Sequence, residues 1–87
     1  MNILSKNLAR LIKTRRNELK ISQLSLSKKL GYESKSGQTI SNAERGKCQL
    51  PIKYLNNLSI VLMISRETII NEMVEDYREA LRKELSK

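Results

Sequence analysis

Apolar residues in this chain recur at helical spacing in short stretches, and each stretch is fenced by a residue that starts or stops a helix. Leu4, Leu8, Leu11 and Ile12 fall at i, i+4, i+7 and i+8, with Leu19 further along the same stripe. That spacing predicts an amphipathic helix over residues 4–19. Ser22 can cap a second helix, SQLSLSKKL, with Leu26 and Leu30 on its core edge and Gly31 at its end. Ser36 can cap a third, GQTISNAE, stopped by Arg45-Gly46-Lys47. Pro51 suits the first turn of a fourth, where Leu55, Leu58 and Leu62 fall at i, i+3 and i+7. Ser65 opens a fifth, whose stripe of Ile70, Met73, Val74, Tyr77, Leu81 and Leu85 continues to the end of the chain. Phe and Trp are absent, so Leu and Ile must fill the interior. Five helices in 87 residues, with no internal repeat and no linker, predict an all-α fold with a modest core.

Charge narrows the classes of partner. The net charge is +8 at pH 7, and it is unevenly placed. Residues 1–30 carry eight Lys or Arg against one acid, residues 31–53 four against two, and residues 54–87 five against six. A one-sided basic field points to a polyanion, either nucleic acid or an anionic membrane surface, with a basic face kept for solubility as the plain alternative. No apolar run is long enough to span a membrane. The opening MNILSKNLAR has too short an apolar segment for a signal peptide, so a cytoplasmic protein is expected. Cys48 is the single cysteine and histidine is absent, so no metal or other cofactor is expected. With no histidine, no Cys–base pair and no phosphate-binding glycine loop, the sequence does not read as an enzyme.

Arg16 is the informative charge of the first helix. Lys6, Arg10, Lys13 and Arg15 lie mostly off the apolar stripe and are expected in water, whereas the spacing of Arg16 from Ile12 turns it inward. An inward arginine needs a carboxylate, because a buried unpaired charge costs about 3–5 kcal/mol. In the third helix Ile40, Ala43 and Glu44 share one side, and Gln38, Ser41, Asn42 and Arg45 share the other.

Two short helices joined by a loop, inside a five-helix domain with a basic front half, describe a helix-turn-helix. From about Leu8 to Ile70 the chain resembles the lambda-repressor-like (Cro/C1-type, XRE-like) helix-turn-helix family of DNA-binding regulators. The resemblance lies in the ordered series Arg16, Ser22-Gln23, Leu26-Ser27, Leu30-Gly31, Ile40-Ser41, Glu44-Arg45-Gly46-Lys47, Pro51, Leu62 and Ile64-Ser65. It implies a buried salt bridge between Arg16 and Glu44, which removes Glu44 from the candidate catalysts. It also implies that the third helix, residues 37–45, lies in the DNA major groove. Base contacts are then expected from Gln38, Asn42, Ser41, Thr39 and Arg45, and backbone contacts from Gln23, Lys35, Ser36, Lys47 and Lys53. The chemistry suits these roles: Gln and Asn amides can pair with the adenine N6/N7 edge, while helix N-termini and lysines suit phosphates.

The sequence departs from the family in three places. Gly31 and Ile40 are nine apart, longer than the family's usual turn, which leaves the first reading residue open between Gly37 and Gln38. Lys20 stands where a turn glycine is usual. Ser27 replaces the usual alanine and is tolerable if its hydroxyl bonds back to the helix.

A minimal domain of this kind would occupy residues 1–70. Residues 71–87 extend it helically, with Glu79 and Lys83 at a favourable i,i+4 spacing. Ile70, Met73, Tyr77, Leu81 and Leu85 are expected to form a homodimer interface, because the polar face of this segment is mixed in sign rather than basic, which argues against a membrane. The expected function is a transcription regulator, most simply a repressor that binds a palindromic operator in double-stranded DNA as a homodimer. The alternative is an antitoxin or controller protein whose C-terminal helix binds a partner protein such as a toxin and which autoregulates its operon.

Overall fold

The computed structural model describes residues 6–31, 37–48 and 50–86. Five α-helices follow one another, with no strand among the described residues: α1 (Lys6–Glu18), α2 (Gln23–Leu30), α3 (Gln38–Glu44), α4 (Leu55–Leu62) and α5 (Arg66–Leu85). A 3-10 turn, Ile52–Tyr54, leads directly into α4. Pro51 stands just before that turn with φ −56° and an extended ψ of 144°, so it precedes the helical backbone rather than occupying the first turn of α4.

The core is aliphatic, as the missing Phe and Trp require. Leu8, Ile12, Leu26, Leu30, Ile40, Leu58 and Leu62 are almost fully buried, and each comes from the apolar stripe of its own helix. Leu50, Ile64 and Ile69 seal the edges. α1 is the central strut, in contact with α3, α4 and α5, while α2 lies against α3 and α4.

Local chemistry explains where the helices stop and start. Ser22 Oγ accepts from the Ser25 N–H at 3.0 Å, and Ser65 Oγ accepts from the Thr68 N–H at 3.1 Å, so both predicted N-caps are in place. The N-cap of α3 is Gly37, without a side-chain cap bond. Ser36, the expected cap, lies outside the described residues. Left-handed residues stand at the C-terminal ends of α1 to α4: Lys20 (φ 56°), Gly31 (φ 97°), Gly46 (φ 72°) and Met63 (φ 55°). At Lys20 and Met63 two reversed backbone bonds close the helix, with Ile21 N–H donating to Arg16 C=O and Ile64 N–H to Ser59 C=O, each at 3.0 Å. Lys20 and Met63 therefore carry about 1 kcal/mol of left-handed strain apiece, which glycine would not.

Three side chains sit differently from their sequence pattern. Arg15 is half-buried rather than free in water, and its Nε donates to the C-terminal carbonyl of Leu62 at 3.1 Å, tying α1 to the end of α4. Ser27 is fully buried, and its hydroxyl finds no hydrogen-bond partner among the described residues instead of bonding back to α2. Asp76, unmarked in the pattern of α5, is 3% exposed, and its carboxylate accepts from the backbone N–H of Asn7 at 2.8 Å and of Leu8 at 3.2 Å. The first turn of α1 has no acid of its own, so a residue from the far end of the chain caps it and opposes its dipole.

Asp76 also changes the standing of the C-terminal segment. α5 runs unbroken through residue 70, and beyond that point it presents Met73 to the core and Asp76 to α1. The boundary expected there falls inside a continuous helix.

Two substitutions should move stability in opposite directions. Ser27→Ala removes an unsatisfied buried hydroxyl and is expected to gain about 1–3 kcal/mol. Asp76→Ala removes a helix cap and is expected to lose about 1–2 kcal/mol. In a domain of this size each kcal/mol shifts the melting temperature by about 4–8 °C, so thermal melts followed by circular dichroism resolve both.

Candidate nucleic-acid interface

The site is built on α3, and α3 is held from behind by an ion pair. Arg16 Nε donates to Glu44 Oε2 at 2.6 Å and Arg16 Nη2 to Glu44 Oε1 at 3.1 Å, a bidentate fork across α1 and α3. The two side chains are 12% and 3% exposed, so the pair is shielded from water. Arg16 Nη1 donates to the Ile21 carbonyl at 2.9 Å, which fixes the turn into α2. Gln23 Nε2 donates to Glu44 Oε1 at 3.2 Å. One carboxylate thus gathers α1 and the N-terminus of α2 onto the last residue of α3. Glu44 is fully committed to this cluster, as the inward spacing of Arg16 and Glu44 requires.

Gln23, expected at the DNA backbone, is half-buried and spends its amide nitrogen on Glu44. Its placement at the start of α2 still leaves it beside the first turn of α3, because Gly37 approaches it closely. A Cβ built on Gly37 would lie 2.7 Å from Gln23 Cβ and 2.8 Å from the Leu24 backbone nitrogen. Only a residue without a side chain fits there, and φ at Gly37 is an ordinary −85°, so the requirement is proximity rather than backbone strain. This contact sets the register left open by the long turn: Gly37 is packed against α2, and Gln38 is the first residue of α3.

The outward face of α3 carries Gln38 and Arg45, both exposed, with Thr39, Ser41 and Asn42 half-buried beside them. Ile40 and Ala43 are buried on the opposite side. Gln38 Nε2 donates to Asn42 Oδ1 at 2.9 Å, so the two amides stand in line one turn apart. This surface is polar and, except for Arg45, uncharged, which suits hydrogen bonding to base edges without the desolvation of an unneeded charge. Lys47 and Lys53 are exposed, and Lys53 Nζ lies 5.1 Å from the Tyr54 ring centroid. Lys35 and Ser36, the other expected backbone contacts, lie outside the described residues.

The expected partner surface on α5 divides into two faces. Met73 packs against the protein's own core, beside buried Ile69 and Asp76. Ile70, Val74, Tyr77 and Leu85 are exposed and Leu81 is half-buried, at spacings that keep them on one side of the helix. The outer face therefore keeps four of the five residues expected there and loses Met73 to the core.

No protein-family model matches the chain, and no curated protein matches it in sequence. Among solved structures the chain is similar to the wild-type restriction-modification controller protein C.Esp1396I, with a TM-score of 0.64 and 23% identity over 91% of this chain and 99% of that one. It is equally similar to an arginine-to-alanine mutant of the same controller protein, with the same TM-score and identity over 88% of this chain and 99% of that one. At this identity the likeness concerns the fold, a five-helix all-α domain.

Removing one partner of the Arg16–Glu44 pair should be far worse than removing both. Glu44→Ala strands a buried guanidinium and is expected to cost about 3–5 kcal/mol, while the double variant Arg16→Met with Glu44→Leu should recover most of that loss. Urea unfolding of the three proteins measures the difference.

Proposed function

We propose that this chain is a sequence-specific double-stranded DNA-binding transcription regulator. It acts as a repressor on a palindromic operator, with α3 in the major groove. One observation carries the reading: a polar, nearly uncharged helix face, exposed at Gln38, is clamped in place by a buried ion pair inside a basic domain. A surface meant only for solubility would not need such anchoring. Gln38 and Asn42 contact bases, Ser41 and Thr39 border them, and Lys47 and Lys53 face phosphates. Gln23 contributes from the start of α2 while bound to Glu44. The described helices include none long and apolar enough to cross a membrane, and the basic field is matched to a polyanion instead.

The outer face of α5 completes the reading as a homodimer interface through Ile70, Val74, Tyr77, Leu81 and Leu85. A two-fold dimer sets two copies of α3 about 34 Å apart, one turn of duplex, which is why the operator would be palindromic. A second reading is favoured by the name of the similar solved structures, a restriction-modification controller protein. There the chain controls its own operon, and α5 serves a different protein partner.

Selection of duplexes from a random pool supplies the operator and tests the central claim. Asn42→Ala and Gln38→Ala are each expected to reduce discrimination between selected and scrambled duplex by about 1–3 kcal/mol while leaving the melt unchanged. Wild-type discrimination in both variants would place the reading face elsewhere.

Tyr77→Arg with Leu81→Glu tests the dimer by light scattering, with monomers expected and an unchanged dimer counting against α5. A truncation before Asp76 cannot serve, because it also uncaps α1.

A further inference from the structure

A groove lies between α1 and the C-terminal end of α3, lined by Lys6, Ala9, Arg10 and Lys13 from one side and by Glu44, Arg45 and Gly46 from the other. We propose that this groove clamps the phosphodiester backbone of the DNA beside the bases that α3 reads. The proposal rests on the DNA-binding reading above and adds a contact surface that the helix-turn-helix pattern does not assign.

The charge in the groove is almost entirely positive and unspent. Lys6, Arg10, Lys13 and Arg45 are all exposed, and none forms an ion pair among the described residues. Glu44 is the one acid lining it, and its carboxylate is held by the Arg16 fork at 3% exposure, so its charge is cancelled from behind. Three arginines outside the groove are neutralised by neighbours on their own helices. Arg15 pairs with Glu18, and Arg78 and Arg82 both pair with Glu75 on α5. Four unpaired cations, three from α1 and one from the end of α3, converge on this one groove.

Shape points to a polymer rather than a single small anion. Lys6, Arg10 and Lys13 fall at i, i+4 and i+7 on one face of α1. They span about 10 Å along the helix, enough to follow successive phosphates that rise about 3.4 Å apart on one strand. Ala9 is buried and Gly46 has no side chain, so the middle of the groove admits a backbone between the long cationic arms. α3 and the groove then divide the work: neutral amides meet bases, and the four cations meet the flanking strand. Arg45, placed among the base contacts by its helical face, belongs with the phosphate contacts because it faces α1 across the groove.

The test uses the full chain, the duplex selected by the wild type, and a scrambled duplex of equal length. Arg10→Ala, Lys13→Ala and the double variant are titrated from low to moderate salt, with Lys83→Ala on α5 as a control for net charge alone. The affinities for both duplexes should fall by the same factor in each groove variant. The slope of log K against log salt should shrink by about 0.9 for each cation removed per protomer. The control should keep the wild-type slope. An unchanged slope in the groove variants, an equal change in the control, or a loss confined to the selected duplex would each overturn the clamp. A wild type that prefers no sequence would instead overturn base reading by α3, while the slope on scrambled duplex would still decide the groove.

Discussion

The ion pair between Arg16 and Glu44 is the constraint on which the rest of the structure depends. A bidentate fork buried at the junction of three helices has little freedom to relax, because both charges have left water and each needs the other. Its remaining bonds are used to position backbone: the Ile21 carbonyl fixes the turn after α1, and Gln23 ties the start of α2 to the same carboxylate. Such a pair contributes less to net stability than to geometry. The fork adds a directional requirement that aliphatic packing lacks, because both pairs of N–H and carboxylate oxygen must meet at once across α1 and α3. The face that α3 turns outward is thereby set to within a residue.

A second polar device, Asp76, does for α1 what the ion pair does for α3. Its carboxylate takes two N–H groups from the opening turn of α1, and it lies on the last helix, nearly the whole chain away. α5 is therefore a brace for the helix that carries Lys6, Arg10 and Lys13, and it keeps an apolar face exposed on its other side. The brace and the exposed apolar face occupy different sides of one cylinder. Met73 and Asp76 face inward, while Val74 and Tyr77, one position on from each, face out.

Much of the architecture was legible in the linear chain. Helical spacing located all five helices, Ser22 and Ser65 announced their starts, and Gly31 and Gly46 their stops, because these signals act within one or two turns of the residue that carries them. The inward arginine was legible too, since periodicity alone put a charge where a charge must be paired. The same rule extends to Asp76 in α5, which follows Ile69 and Met73 at i+7 and i+3. It is less legible because the outer stripe of Ile70, Tyr77 and Leu81 is the more hydrophobic one and draws Met73 into the same reading. Ser27 illustrates a different limit. Its smallness was readable as close helix packing, but whether its hydroxyl would find a partner depended on which atoms surround it.

Amino-acid order was sufficient for the helix set, the aliphatic core, the inward pairing of Arg16 and the uneven basic field. Each follows from periodicity, capping and charge, which are properties of neighbours along the chain. Packing settled the register of α3, through a Gly37 pressed on the backbone of Leu24, and the sharing of Glu44 by Gln23. It also settled the burial of Asp76 and the meeting of three α1 cations with Arg45 across one groove. These depend on close approach between segments distant in sequence. No period or cap encodes that distance, because the turn lengths and crossing angles that create it are fixed only when all the helices compete for the same core.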